Sequence, residues 1–389
     1  MRHGIKISLW SRLDSPMVPL VVVAITYLLF INARLAMHGN DPSFFVTAGD
    51  KYSNPDLVPK NLSVLHNSPG YDGQFYYRLA LNPFTSKPTD FGLTLDFPAH
   101  RHQRIIYPLI VWTVSLSRPD FVPAVMILVN YLALCLMGWI GGSYAQLMRH
   151  HALWGLALPF YPGFLLTLSR DLIEILEICL LLASLLLSRR GRHLLASLIL
   201  SLAILTRETA LMVAMGTLCA RLVRAWQEKD VKKLKGTSLL VPFMTYAVWQ
   251  LLLLYRWGYL SVLEVGHLIG LPFSGFINFF LYTAALETYF QRLWFIELCF
   301  IIAFTIAVIY SLGSTSAWAH ERISWLFYAM LISLWTRFIW IEDWGFLRAL
   351  SEFYILGAII LIGSQSKIKT PTFACSMALW LFLFLREIR

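Results

Sequence analysis

The sequence predicts an all-α polytopic membrane protein of about eleven transmembrane helices, with a large folded external loop after the first span that carries interfacial helices. Three observations predict it. Of 389 residues, 58% are hydrophobic and only 14% are charged, against about 25% charged in an ordinary soluble domain. The 22 acids and 32 bases cannot cover a water-soluble fold of this length, so the excess apolar residues face lipid. Apolar runs of membrane-crossing length recur along the chain. The bases fall in short clusters between those runs, which is how membrane orientation is encoded, so the formal net charge of +10 does not point to nucleic acid.

Residues 1–16 carry Arg2, Lys6 and Arg12 ahead of an apolar stretch over 17–31. This imitates a secretory signal, but Asn32-Ala33-Arg34 is a poor cleavage site, and 17–35 reads as an uncleaved first span behind a cytoplasmic N-terminus. The stretch 36–120 is polar and reads as external. It holds seven of the eleven aspartates, Asp41, Asp50, Asp56, Asp72, Asp90, Asp96 and Asp120, and no glutamate. A flexible tether would be Gly/Ser-rich, and a disordered tail would lack Phe44, Phe45, Phe75, Tyr76 and Tyr77, so this loop folds onto the membrane surface.

Within the loop, Pro69 and Gly70 make a turn, and 74–81 suits an amphipathic interfacial helix with its aromatics at headgroup level. Asp72 then stands at the mouth of the membrane, either as a helix cap or as a chemical group. Further on, 105–116 is apolar enough to cross. A crossing there would throw Arg149 and the cluster at 189–192 to the outer side, so the segment reads as a half-helix in the outer leaflet. Arg101 and Arg104, with His100 and His102, precede it as an anion cradle, because the arginine fork matches phosphate oxygens. The His100-x-His102 pair lacks an acid at ligand spacing and reads as a solvated polar patch, with no metal site.

The transmembrane core, 121–255, contains spans near 121–147, 152–168, 172–187, 194–206, 210–221 and 238–255. With the N-terminus inside, the inner segments carry Arg2, Lys6, Arg12, Arg149, Arg189, Arg190, Arg192, Arg221, Arg224, Lys229, Lys232, Lys233, Lys235, Arg322, Lys367 and Lys369, half of all the bases. Parity then makes Ser169-Arg170-Asp171 and Thr206-Arg207-Glu208-Thr209 outward turns. The helices flanking the second are short, so its charges lie in a protein-lined recess. Two readings stand for each turn: a functional ion, or a salt bridge between neighbours, Arg170 with Asp171 and Arg207 with Glu208.

Segment 256–292 reads as an external surface segment, and 293–389 as the C-terminal spans near 293–312, 323–340, 349–362 and 372–385. Glu342-Asp343-Trp344 also comes out external. Arg348 and Glu352 lie one helical turn apart and suit an ion pair with each other. Glu174, Glu177 and Glu297 sit in apolar helices, where they line a cavity or satisfy polar neighbours. The five cysteines all fall in apolar runs as packing residues. The absence of GxxxxGK, GxGxxG, HExxH and GxSxG argues against ATP-driven transport, dinucleotide chemistry and ordinary hydrolysis.

The external loop with Gly70-Tyr71-Asp72-Gly73-Gln74-Phe75-Tyr76-Tyr77-Arg78-Leu79-Ala80, the segment Arg104-Ile105-Ile106-Tyr107-Pro108-Leu109 and the turn Leu205-Thr206-Arg207 together resemble the GT-C superfamily of integral membrane glycosyltransferases. More narrowly, they resemble the bacterial proteins of cell-surface glycopolymer formation. The resemblance covers residues 41–210. It implies a bacterial plasma-membrane enzyme that takes a sugar from a polyprenyl-phosphate donor on the outer face and passes it to a lipid-linked or glycan acceptor. A first-loop carboxylate would act as general base, with Asp72 the best match and Asp50 the runner-up. Arg104, Arg207 and Arg348, with Arg101 and Arg170, would hold the lipid phosphate. Tyr71, Gln74, Tyr107 and Glu208 complete the expected substrate-binding set. The segment 257–291 would be a surface helix admitting the prenyl chain, or a cap over the bundle. No cofactor is implied with certainty, and a divalent metal stays open. Rival readings are a transporter or flippase of lipid-linked sugars, which should show internal repeats, and a non-catalytic subunit of polysaccharide assembly.

Overall fold

The computed structural model describes residues 13–229 and 237–388, and over them the chain is mainly helical. The bases Arg2, Lys6, Arg12, Lys232, Lys233 and Lys235 lie outside the described residues. Helix α1 (Met17–Met37) packs along α5 (Val122–Leu147). Glycine lets the two backbones close up: a Cβ on Gly138 would stand 2.9 Å from the Pro19 carbonyl oxygen. Small residues serve this purpose where lipid is as apolar as leucine and burial alone does not drive association.

Between α1 and α5 the chain forms two small sheets, β1 (Ala48–Gly49) parallel to β2 (Val64–Leu65) and β3 (Thr89–Asp90) antiparallel to β4 (Leu93–Thr94). It also forms three short helices, α2 (Gly73–Leu81), α3 (Pro98–His102) and α4 (Ile106–Val114). The expectation of an interfacial helix over 74–81 is corrected: all nine residues of α2 are buried, because the helix packs against α4 and α5. Tyr76 and Tyr77 therefore fill the interior instead of a headgroup layer.

The rest runs through α6 (Gly163–Leu168), α7 (Glu174–Arg189), α8 (His193–Thr206), α9 (Leu211–Gln227), α10 (Val241–Trp257), α11 (Ser261–Glu264), α12 (Ser274–Thr283), α13 (Tyr289–Ser311), α14 (Ala319–Ser333), α15 (Asp343–Ala349), α16 (Ser351–Gly363) and α17 (Lys369–Glu387). Helix α16 is buried at every position and is flanked by α13 and α14, while α5 and α8 cover α7. Among the described residues, four helices are long and apolar enough to cross a membrane, at Met17–Met37, Pro119–Leu147, Glu208–Gln227 and Tyr289–Ser311. A fifth arises if α15 and α16, bent by 50°, count as one broken span.

Other expected spans are shorter or interrupted. Over 152–168, Pro159 and Pro162 break the run into a 3-10 turn (Ala152–Ala157) and the six-residue α6. The run over 323–340 stops being helical at Ser333. Segment 257–291 is not one surface helix but α11, α12 and irregular chain.

Candidate functional site

The motif at 70–80 has a backbone reason for its glycines. Gly70 adopts φ +65°, and a Cβ there would meet the Gly49 nitrogen at 2.4 Å. Gly73 abuts the Arg170 carbonyl oxygen, 2.3 Å from where its Cβ would be. The turn is thus clamped between β1 and the end of α6, and this fixes the position of Asp72 between the two glycines.

Asp72 precedes α2 without capping it through its side chain. Its carboxylate instead reaches Arg101 Nη2 at 2.9 Å and Arg348 Nη1 at 2.6 Å. Arg101 also grips Asp96 through two bonds of 2.8 Å and lies over the Phe75 ring. Arg348 stands 3.6 Å from Glu174 and close over Tyr71. Arg104 forks onto Glu208 at 3.0 and 2.7 Å and donates to the Tyr76 hydroxyl at 3.1 Å. Tyr76 lies within electrostatic range of Arg104, Asp72, Arg101 and Glu174 and so joins the two groups of ions. Behind them Arg207 pairs with Glu352 at 2.8 Å, and Thr209 donates to the same carboxylate.

Burial would raise the Asp72 carboxyl, but the guanidinium charges of Arg101 and Arg348, with their hydrogen bonds, outweigh it and hold the group well below the usual carboxylate range. Asp72 is ionised at any physiological pH and, paired this way, is a weak base. Its side chain keeps 18% of its surface exposed and that of Glu208 22%, so the cluster meets solvent along one edge.

The structure brings together Asp72, Tyr71, Arg101, Arg104, Glu208, Arg348 and, one layer back, Arg207. It does not bring in Asp50. That carboxylate accepts from the backbone N–H groups of Asn67 (2.7 Å) and Ser68 (3.1 Å), which lower its pKa while they close a turn. Gln74 is buried as a loop brace, accepting from the Gly49 N–H and the Ser53 hydroxyl. Tyr107 is buried too, donating to the Met126 carbonyl. Arg170 stacks over Trp344 at 3.6 Å and pairs with Glu387 at 3.0 Å.

Four local expectations are corrected. Arg348 pairs with Asp72 and not with Glu352, and Glu352 turns to Arg207. Arg170 pairs with Glu387 and not with its neighbour Asp171. Glu208 goes to Arg104 and leaves Arg207 to Glu352. In each case helix packing brings up a partner distant in sequence in place of the adjacent charge. The histidine pair is not a solvated patch, for His100 is 6% and His102 0% exposed. Among the described residues no group of three or more His, Cys, Asp or Glu side chains could hold a metal ion. No protein-family model matches the chain, and no curated protein matches it.

Trp257 Nε1–H donates to His102 Nδ1 at 3.2 Å, and His102 Nε2 bonds the Pro83 carbonyl at 2.7 Å. These partners assign the neutral tautomer protonated at Nε2. Burial, the dominant influence, pushes His102 down to about 4; the Pro83 bond opposes it, and Arg256 and Arg78 reinforce it. Burial with Arg104 takes His100 down to about 3. An unfolded histidine titrates at about 6.5. Between that value and the folded one, the unfolded chain binds protons that the folded chain refuses, so stability is full above about pH 6.5 and is lost as pH falls. Thermal melting of the detergent-solubilised protein should show this decline between pH 6.5 and 4. In His102→Gln, which keeps an amide donor for Pro83 but cannot titrate, the decline should be shallower. Parallel curves for the two proteins would exonerate His102.

Proposed function

We propose that this chain is an integral-membrane glycosyltransferase of the GT-C type, moving a sugar from a polyprenyl-phosphate donor to a lipid-linked or cell-surface glycan acceptor. One observation carries the reading: acids and arginines from the turn before α2, the α3–α4 region, the start of α7, the turn before α9 and α15 converge on one partly exposed cluster. A departing phosphate needs charge stabilisation more than a proton, and arginine forks supply it. A lipid phosphate has the charge to draw Arg101 and Arg348 away from Asp72, which raises the basicity of the carboxylate when donor is present. The acceptor hydroxyl oxygen then attacks the anomeric carbon while its proton passes to Asp72. The bond from that carbon to the phosphate oxygen breaks, and its electron pair leaves with the lipid phosphate, held by Arg104 and Arg348.

The proposed setting is a bacterial plasma membrane with the N-terminus inside, about eleven spans and the 36–120 segment outside. In its support, α7, α8 and α9 carry Arg189, Arg192 and Arg224 at one end and Glu174, Arg207 and Glu208 at the other. A helix of 14 residues such as α8 spans roughly 21 Å, against about 30 Å of hydrocarbon, so the turn at 206–209 lies recessed. An impermeant maleimide applied to intact cells should label Ser86→Cys, at an exposed loop position, above the unsubstituted background. Labelling only after permeabilisation would invert the arrangement.

Protein in liposomes, given labelled polyprenyl-phosphate sugars and a lipid-linked acceptor, should form a new glycosidic bond. Label that crosses the bilayer without bond formation would instead make the protein a flippase. One observation favours a non-catalytic assembly subunit, namely that both Asp72 oxygens are already paired; that reading expects neither result.

A further inference from the structure

A cavity of about 900 Å³ lies at the opposite ends of α7, α8 and α9 from the ion cluster, between them and α14. From Leu211, just past Glu208, to Arg221 the helix α9 rises roughly 15 Å, so the two sites are distinct. The volume falls within the range of about 300–1,000 Å³ usual for small-molecule sites. Its lining is mainly basic, with His193, Arg221, Arg224, His320 and Arg322 against one acid, Glu228. The acids nearby are already engaged. Glu228 pairs with Arg224 one turn away at 2.9 Å, and Glu321, below the wall, is gripped by Arg189 at 2.6 Å.

Two further features point to an anion. His320 is only 9% exposed, and its Nε2, like Nε of Arg322, is buried with no hydrogen-bond partner among the described residues. Arg221 stands within electrostatic range of His320, as do Glu321 and the Arg189 that pairs with it. Trp318 also lines the cavity, half in solvent and stacked by Arg189. An amphipathic ring of this kind marks the boundary between hydrocarbon and water. The outer faces of α8 and α9 expose Leu194, Leu195, Leu198, Leu222 and Val223, so acyl chains can lie along the wall while a headgroup enters between the helices.

We propose that this cavity binds the phosphate headgroup of an acidic phospholipid. Basic recesses between membrane helices take such headgroups, each arginine near the surface contributing about 1 kcal/mol, or about fivefold in affinity. The site requires nothing of the chemistry at Asp72 and stands whether or not the chain transfers sugar.

The test is native mass spectrometry of the full-length protein released from nanodiscs of equal phosphatidylglycerol and phosphatidylcholine. The wild-type protein should retain phosphatidylglycerol preferentially, and Arg221→Gln/Arg322→Gln should reduce that preference on the order of 25-fold. Arg221→Gln alone should reduce it about fivefold and serves if the double variant misfolds. Equal retention of the two lipids, or a preference the variants leave unchanged, overturns the proposal. Inorganic phosphate that abolishes the preference at millimolar concentration would show the cavity to be a site for a free anion, overturning the lipid assignment.

Discussion

Asp72→Asn should abolish sugar transfer in the liposome assay. The amide is close to the carboxylate in size but cannot accept the acceptor's proton, and loss of a positioned general base costs on the order of 10²–10⁴ in rate. The change is not electrostatically silent. It removes one counter-charge from Arg101 and Arg348, and breaking a buried pair from one side costs about 3–5 kcal/mol when nothing compensates. Here Asp96 still holds Arg101 through two bonds, and Glu174 stands 3.6 Å from Arg348, so the variant should fold with a lowered melting temperature. The measurement therefore reads transfer and melting together. Asp50→Asn should retain transfer, since its carboxylate closes a turn. Transfer preserved in Asp72→Asn and lost in Asp50→Asn would reverse the two roles.

The largest loss of stability should come from Glu387→Ala. Glu387 Oε2 accepts from Arg170 at 3.0 Å and from the Ser169 hydroxyl at 3.0 Å, and stands 3.9 Å from Arg34; Oε1 is taken by Arg386. One side chain thus ties α1, the end of α6 and α17 together, with all partners at least four-fifths buried. Removing it leaves Arg34 and Arg170 with uncompensated charge, a cost of about 3–5 kcal/mol. Replacing Arg34, Arg170 and Glu387 together by Met should recover most of that loss, because a well-packed apolar set needs no counter-charge. Melting in detergent measures both. A single variant within 1 kcal/mol of wild type would mean that water solvates the lock, against this account.

The residues of the cluster were legible in the sequence, whereas their pairing was not. Asp72, Arg104, Glu208 and Arg348 stand out because ions bordering apolar runs are costly and call for a partner. Choosing that partner from sequence favours the nearest opposite charge, as with Arg348 and Glu352. The structure joins Arg348 to a side chain 276 positions away. Glu174 carried the same signal, an acid within an apolar run, and could have been placed beside an arginine. Glu387 had none, because an acid late in the last helix looks solvated until packing buries it. Gln74 and Tyr107 lie in the motifs yet brace the loop and α5, a distinction that only the path of the backbone reveals. Pro159 and Pro162 did mark the break in the 152–168 run, and hydropathy alone concealed it.

The bond between Asp72 and Arg348 sets an order of events during synthesis. At about 5–20 residues per second, the ribosome delivers the arginine roughly 15 to 55 seconds after the aspartate it must meet. Throughout that delay Asp72 has only Arg101, which it shares with Asp96, and the finished arrangement arises only when the closing helices have been inserted. A chain that stops short of Arg348 would leave Asp72 to Arg101 alone, so the contact ties the early loop to a helix made near the close of synthesis.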